Sequence, residues 1–247
     1  MKVKVNLIVI LMILLFSVGS SFAADWAQWR GPKQDGVCTE TGLLQSWPEG
    51  GPELLWEVSG LGAGYSTVSI SGGKLFTMGD LKVDGQAAQC VVAVDMETHK
   101  KLWTKPIGPI LKGDTGGPRC TPTYDDGFVY VIGTSGDFAC LSADKGDIIW
   151  SKNLEKDFDG KNPTWNYCES PLIDGDKVLC SSGNSKSIMI AFNKKTGDLI
   201  WKCSMPDIGE IGKEDAGYSS IIISNGGGVK QYLKMVGKGL ISVSTDG

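Results

Sequence analysis

Apolar residues along this chain come in short runs that are β-branched or aromatic, as in Phe128-Val129-Tyr130-Val131-Ile132 and Ile188-Met189-Ile190-Ala191-Phe192. Turn sequences such as Asp125-Asp126-Gly127 and Asp174-Gly175-Asp176 bound these runs, and that combination predicts strands. The 34 glycines point the same way, toward turns. A longer pattern lies on top. Val92-Ala93-Val94-Asp95-Met96-Glu97-Thr98-His99-Lys100-Lys101-Leu102-Trp103 returns as Ala139 to Trp150 and again as Ile190 to Trp201, and in each the Asp, Ser or Asn that opens a turn precedes the Trp by eight residues.

The intervals between Trp56, Trp103, Trp150 and Trp201 are 47, 47 and 51 residues. Such a period holds four strands with their turns, close to the ~40–50 residues of a propeller blade. The predicted fold is therefore all-β, a β-propeller of four-stranded antiparallel blades. In each unit a first strand starts near Ser66, Cys120, Glu169 or Ser219, and the last ends with the repeated Trp. Gly146 and Gly197 occupy the turn before the last strand, where a tight hairpin wants φ > 0; His99, the chain's single histidine, takes that place in the first unit and reads as a solvated turn residue. The four tryptophans read as core, wide rings at the end of each outer strand that pack on the next blade.

The expected organisation is a signal peptide over 1–24, an N-terminal segment over 25–64 that includes a ring-closing strand, blades over 65–103, 119–150 and 167–201, and an incomplete blade over 217–247. Leu54-Leu55-Trp56-Glu57 matches the outer strand around Trp201, but no strands of its own blade precede it. Val243 stands where Asp95 does, so the next repeat Trp would fall at 251, past Gly247. The sequence thus reads as about three complete blades and most of a fourth, a fragment whose open edges would favour aggregation. A closed four-bladed ring, completed by Leu54–Val58, is the alternative.

Lys2 and Lys4, the apolar run Leu7 to Phe16 and the small residues at Ser21 and Ala23 form a secretion signal, too short for the ~20 residues of a membrane span. Periplasmic or secreted localisation follows as an expectation. Without Lys2 and Lys4 the chain keeps 22 basic residues against 28 acidic ones, net −6, which excludes counterion-release binding to nucleic acid. Seven cysteines stand at 38, 90, 120, 140, 168, 180 and 203. None forms a C-x-x-C, so zinc and dithiol redox chemistry find no motif; Cys140 and Cys180 read as small buried strand residues, and disulfide pairing stays open.

The pattern A-x-D-x-x-T-G-x-x-x-W, carried by Ala93 to Trp103 and Ala191 to Trp201, resembles the pyrroloquinoline-quinone-like propeller repeat. The opening Asp25-Trp26-Ala27-Gln28-Trp29-Arg30-Gly31-Pro32 with Asp35-Gly36 resembles the start of a group of exported members. That superfamily includes quinoprotein alcohol dehydrogenases and the BamB-type scaffolds of outer-membrane barrel assembly. The resemblance implies eight blades in the full ring. It also implies either function, because one fold hosts enzymes and scaffolds. The quinoproteins carry a vicinal disulfide, a Trp floor, calcium held by Glu and Asn, and an Asp base; adjacent cysteines are missing here, as is the lipobox of the BamB-type proteins.

Binding residues are expected on the long connections from the outer strand to the next inner one, 104–119, 151–168 and 202–218, because long loops on a rigid scaffold carry function. These hold Asp114, Arg119, Asp157, Asp159, Trp165, Asn166, Tyr167, Glu210 and Asp215. Aligning the starts of the inner strands puts Tyr65, Arg119, Cys168 and Tyr218 at one level and Glu169 at the next. The candidate ligand site is accordingly Arg119 with Glu169, flanked by Tyr65, Trp165 and Tyr218; a structural ion pair with aromatic packing is the competing reading. Asp157-x-Asp159-Gly160 reads as a surface loop, since calcium needs further oxygens. No catalytic residue and no metal or cofactor is expected, because the one histidine has no nucleophile beside it in sequence. The leading expectation is a non-catalytic propeller that binds a protein or small ligand; a fragment of a dehydrogenase using pyrroloquinoline quinone (PQQ) with calcium is the alternative.

Overall fold

The computed structural model describes residues 24–111, 116–206 and 211–247. The expected signal peptide falls on residues 1–23, outside the described residues, as do Asp114 and Glu210. Ala24 and Thr39–Gln45 belong to one small unit, in which the Ala24 amide donates to Glu40 Oε1 at 3.0 Å. Asp25–Cys38 and Ser46–Gly247 form the other unit, which contains every strand described below.

The strands fall into four antiparallel sheets, each a meander in chain order. The first holds β1 (Ser69–Ser71), β2 (Lys74–Val83), β3 (Gln86–Asp95) and β4 (Lys101–Gly108); the second holds β5 (Thr123–Asp125), β6 (Phe128–Ile132), β7 (Asp137–Ser142) and β8 (Ile148–Asn153). The third holds β9 (Leu172–Asp174), β10 (Lys177–Cys180), β11 (Met189–Asn193) and β12 (Leu199–Cys203); the fourth has three strands, β13 (Ile222–Ser224), β14 (Gln231–Val236) and β15 (Gly239–Ser244). The short first strands converge, β1 lying against β5 and β5 against β9. These sheets are propeller blades, with their first strands innermost.

Blade-to-blade packing is what the repeat encodes. Phe138 and Trp150 of the second sheet meet Phe192 of the third in one core cluster that also takes Tyr130 from the second sheet and Phe76 and Val91 from the first. Each repeat Trp lies on the turn of the following sheet: a Cβ added at Gly146 would come within 2.6 Å of the Trp103 ring, and one at Gly197 within 2.8 Å of Trp150. The indole N–H groups point the same way, Trp103 Nε1 donating to Ala143 O at 3.1 Å and Trp150 Nε1 to Lys194 O at 2.9 Å. A bulge re-aims each Trp, because the pairing of the third and fourth strands slips by one residue at Ala93/Val94, Cys140/Leu141 and Ala191/Phe192, directly beside Trp103, Trp150 and Trp201. The turns are alike, with φ +70° at Gly146, +72° at Gly197 and +57° at His99.

His99 corrects the sequence reading. It is not merely solvated, since its ring stacks on Trp56 with centroids 4.4 Å apart and 12° between planes. Where the other turns make room for the indole by omitting a side chain, this one lays a second flat ring against it. Replacement by Gly should leave the turn intact and lose only the stack, about 0.5–1.5 kcal/mol, measurable by urea denaturation. Leu54–Val58, expected as a ring-closing strand, joins no ladder among the described residues. One element went unforeseen: a single-turn helix, α1 (Leu154–Phe158), follows β8, with Asn153 Oδ1 accepting from the Lys156 amide at 3.0 Å. Cys140 and Cys180 are fully buried in β7 and β10, as expected.

Between the third and fourth blades, Tyr232 donates to Asp174 Oδ2 at 2.7 Å and Lys230 Nζ pairs with Asp174 Oδ1 at 2.6 Å. Burial pushes the Asp174 carboxyl up, but the hydrogen bonds from Lys230 and Tyr232 outweigh it and the net shift is downward. A carboxylate shifted down stabilises the fold above its unfolded value, about pH 3.9, and the contribution is lost as pH falls through the lower folded value. Wild type and Asp174→Asn should therefore differ most in stability at neutral pH and converge in acid, as read by denaturation at a series of pH values.

Candidate functional site

The starts of the inner strands are stitched together by hydroxyl groups. Ser66 Oγ donates to Cys120 O at 2.7 Å, the Thr121 amide donates to Ser170 Oγ at 2.9 Å, and the Ser170 amide donates to Ser220 Oγ at 2.9 Å. Small hydroxyl side chains let four chain segments approach this closely and still satisfy their amides. Beside this girdle opens a cleft of about 540 Å³, lined among others by Trp29, Arg30, Arg119, Cys168, Tyr218 and Lys234.

One wall of that cleft was not foreseen. The segment from Asp25 to Gln34 runs across the inner strands: Trp26 exchanges two backbone hydrogen bonds with Ile70 in β1, the Tyr124 amide of β5 donates to Ala27 O at 2.8 Å, and Gln34 Nε2 donates to Ile221 O beside β13 at 3.4 Å. The segment folds back on itself at Gly31, whose φ is +79° and where a Cβ would stand 2.7 Å from the Trp26 ring. Trp29, Arg30 and Gln34 thereby face the cleft. The sequence signal was present in the Trp-x-x-Trp-Arg-Gly opening, but nothing in its spacing says that it crosses three blades.

The expected site residues divide as follows. Arg119 and Tyr218 line the cleft. Tyr65 lies against Arg119, the guanidinium carbon 4.9 Å from its ring centroid, a cation–π contact. Trp165 is half-exposed, and its amide donates to the Tyr218 hydroxyl at 3.3 Å. Glu169 departs from the expectation. It is fully buried and pairs with Lys234 Nζ, while its Oε1 accepts from the Ser181 amide at 2.5 Å and Lys234 donates also to Ser219 O at 2.8 Å. The expected Arg119–Glu169 pair is therefore replaced by Glu169–Lys234. The reason is depth: Glu169 sits one step further along the strand and turns inward, to where β14 supplies a lysine. Tyr232, Lys234 and Val236 alternate on the buried face of β14, which aims the Lys234 side chain inward.

Of the remaining loop residues, Tyr167 is buried and donates to Ser182 O at 2.7 Å, and Asp215 Oδ1 accepts from the Gly217 amide at 2.9 Å. Asp157 Oδ2 accepts from the Asn153 amide at 2.8 Å, and Asp159 ends α1 with φ +52°, its backbone N–H donating to Leu154 O, so one serves the helix through its carboxylate and the other through its backbone. Among the described residues no group of three His, Cys, Asp or Glu side chains could hold a metal ion. Burial pushes the Cys168 thiol up, with the Arg119 charge opposing it, and the net shift is upward; the thiol at the cleft wall is protonated at neutral pH.

Residues 87–234, more than half of the chain, match the sequence model of the family described as outer membrane protein assembly factor BamB. The chain belongs to that family. A search of curated proteins finds no match. Among solved structures, this BamB-family chain is similar to a europium-containing methanol dehydrogenase, at 18% identity over 60% of this chain and 26% of that one, with a TM-score of 0.44. It is similar also to the quinohemoprotein alcohol dehydrogenase from Comamonas testosteroni, at 17% identity over 58% of this chain and 21% of that one, TM-score 0.44. BamB from Moraxella catarrhalis matches at 16% identity over 73% of this chain and 70% of that one, TM-score 0.38. The chain thus spans about a quarter of the length of the dehydrogenases it matches.

The cleft of this BamB-family chain does not fit a calcium–quinone pair. Ca²⁺ takes six to eight oxygen ligands, carboxylates prominent among them. The described lining contains no Asp or Glu, and the nearby Glu169 is engaged by Lys234. No helix among the described residues is long and apolar enough to cross a membrane.

Proposed function

We propose that this protein is an exported, non-catalytic propeller scaffold whose cleft binds a carboxylate-bearing partner, either an acidic protein segment or a small acid. The observation that carries this reading is the pairing of two arginines, Arg30 and Arg119, with the rings of Trp29 and Tyr218 around one opening. Guanidinium groups match carboxylates in two-point geometry, and flat aromatic rings offer contact area at small entropic cost. Export is supported by the basic start, short apolar run and small residues at the N-terminus.

The test is titration with an acidic hexapeptide in one arm and citrate in the other, followed by tryptophan fluorescence. Saturable binding in either arm supports the reading and separates the two sources. Arg119→Ala should weaken that binding about tenfold to a hundredfold, the equivalent of ~1.5–3 kcal/mol for a charged hydrogen bond, and leave the melting temperature unchanged. No saturable binding in either arm, or a variant that only melts earlier, would refute it. PQQ with Ca²⁺ forms a third arm; a chromophore shift accompanied by dye reduction would replace the scaffold reading with a dehydrogenase.

A further inference from the structure

The first and second blades meet along a row of residues set by register. Asp80 of β2 faces Gln89 of β3, and Gln89 faces Gly108 of β4. From the second blade, Thr134 in the turn before β7 meets Gln89: Gln89 Nε2 donates to Thr134 Oγ1 at 2.6 Å, and the Thr134 amide donates back to Gln89 Oε1 at 2.9 Å. Both residues are fully buried, so this reciprocal pair clasps the two sheets out of reach of water. Gly108 leaves the space for Asp137 of β7, since a Cβ there would collide with Asp137 Oδ2.

Two carboxylates thus flank the clasp, and neither is fully served. Asp80 Oδ1 is buried and accepts no hydrogen bond among the described residues. Asp137 Oδ1 accepts from Asn153 Nδ2 at 2.9 Å, while Oδ2 lies against the Gly108 backbone. The loop over Asp80 offers only backbone groups, through paired bonds with Ala63. From β3 comes the Cys90 thiol, which burial and the Asp80 charge push up to about 11 and which is therefore neutral. Around Asp137 stand Lys156 of α1 and, in a shared cavity, Lys152 and Asp157, the last bonded to the Asn153 amide. Burial pushes both carboxyls up, opposed at Asp80 by the Gln89 side chain and at Asp137 by Asn153 and Lys156.

We propose that this seam is an acid-tightened clasp, in which protonation of Asp80 and Asp137 strengthens the Gln89–Thr134 bridge between the first two blades. An ionised carboxylate oxygen without a donor is costly to bury, and protonation removes that cost. It also creates an O–H donor on Asp80, directly across from Gln89, whose carbonyl oxygen has a lone pair beyond the one that Thr134 uses. The sign is opposite to that at Asp174. A carboxyl held above its ordinary value weakens the fold when ionised. Stability is therefore regained as pH falls through the folded value, and the gain is complete below the unfolded one, about pH 3.9.

Urea denaturation of wild type, Asp80→Asn and Asp137→Asn at a series of pH values tests this. Neither substituted side chain can ionise, so each variant's midpoint should exceed that of wild type at about pH 7.5 and converge on it by about pH 4. Because an amide can add contacts of its own, hydrogen exchange on the unaltered protein supplies a second measurement. After correction for intrinsic rates, protection of the Thr134 amide should rise about tenfold from about pH 7.5 to about pH 5, the equivalent of relieving one buried, unpartnered polar atom. The Thr121 amide, bonded to Ser170 Oγ at the seam between the second and third blades, should not follow. A variant midpoint that never exceeds that of wild type, a gap that is the same at every pH, or Thr134 protection that falls in acid or moves in step with Thr121 would overturn the proposal.

Discussion

Lys234→Met should destabilise the fold by about 3–5 kcal/mol, the range for removing one member of a buried ion pair and leaving the other charge uncompensated. Both side chains are fully buried, and Lys234 joins the third and fourth blades by donating to Glu169 and to Ser219 O. After the substitution, the Glu169 carboxylate keeps only the Ser181 amide among these partners. The double variant Glu169→Gln with Lys234→Met should recover most of the loss, since a neutral amide can still accept from Ser181 and no charge stays buried. Equilibrium denaturation of wild type, the single variant and the double variant checks the prediction. Recovery identifies the unpaired charge as the cause; an equally damaged double variant would assign the loss to packing.

Trp150→Ala should cost a similar ~3–5 kcal/mol, as large aromatic truncations in cores do. The ring is 8% exposed and packs with Phe138 and Phe192 at centroid distances of 5.1 and 6.4 Å. Gly197→Ala attacks the same contact from the other side. Its φ of +72° costs a residue with a Cβ about 1–2 kcal/mol, and the new methyl would stand 2.8 Å from the indole, adding about 1–3 kcal/mol of overpacking. With the indole gone the collision disappears, so the double variant should lose clearly less than the sum of the two single losses. Denaturant midpoints for the four proteins of the cycle measure this. Additive losses would mean that Trp150 and Gly197 do not touch.

Much of this architecture was legible because its cause is periodic. Strand, turn and Trp recur at a spacing set by one blade, and the physics that places Trp103 on Gly146 places Trp150 on Gly197. The candidate site was legible only in part. Arg119 and Tyr218 follow from aligning the inner strands, since equal positions in the repeat come to one level around the axis. Glu169 was placed at the right level but with the wrong partner, because partner choice depends on which blade supplies a cation from β14, and alignment of one strand carries no information about another. Trp29 and Arg30 lie outside the repeat altogether. Their segment reaches the cleft through backbone pairing with Ile70 and Tyr124, and backbone pairing leaves little trace in side-chain pattern. The first turn shows another case, in which a break in the pattern, His99 for glycine, was read as a solvated turn residue although its ring stacks on Trp56.

Indole N–H exchange in ¹⁵N-tryptophan-labelled protein tests most directly whether the repeated rings lock each blade to the next. Signals are assigned by single Trp→Phe substitutions. Trp103 and Trp150, bonded to Ala143 and Lys194 carbonyls, should exchange far more slowly than Trp47 and Trp165 on the surface. Equal rates for all four would contradict the account.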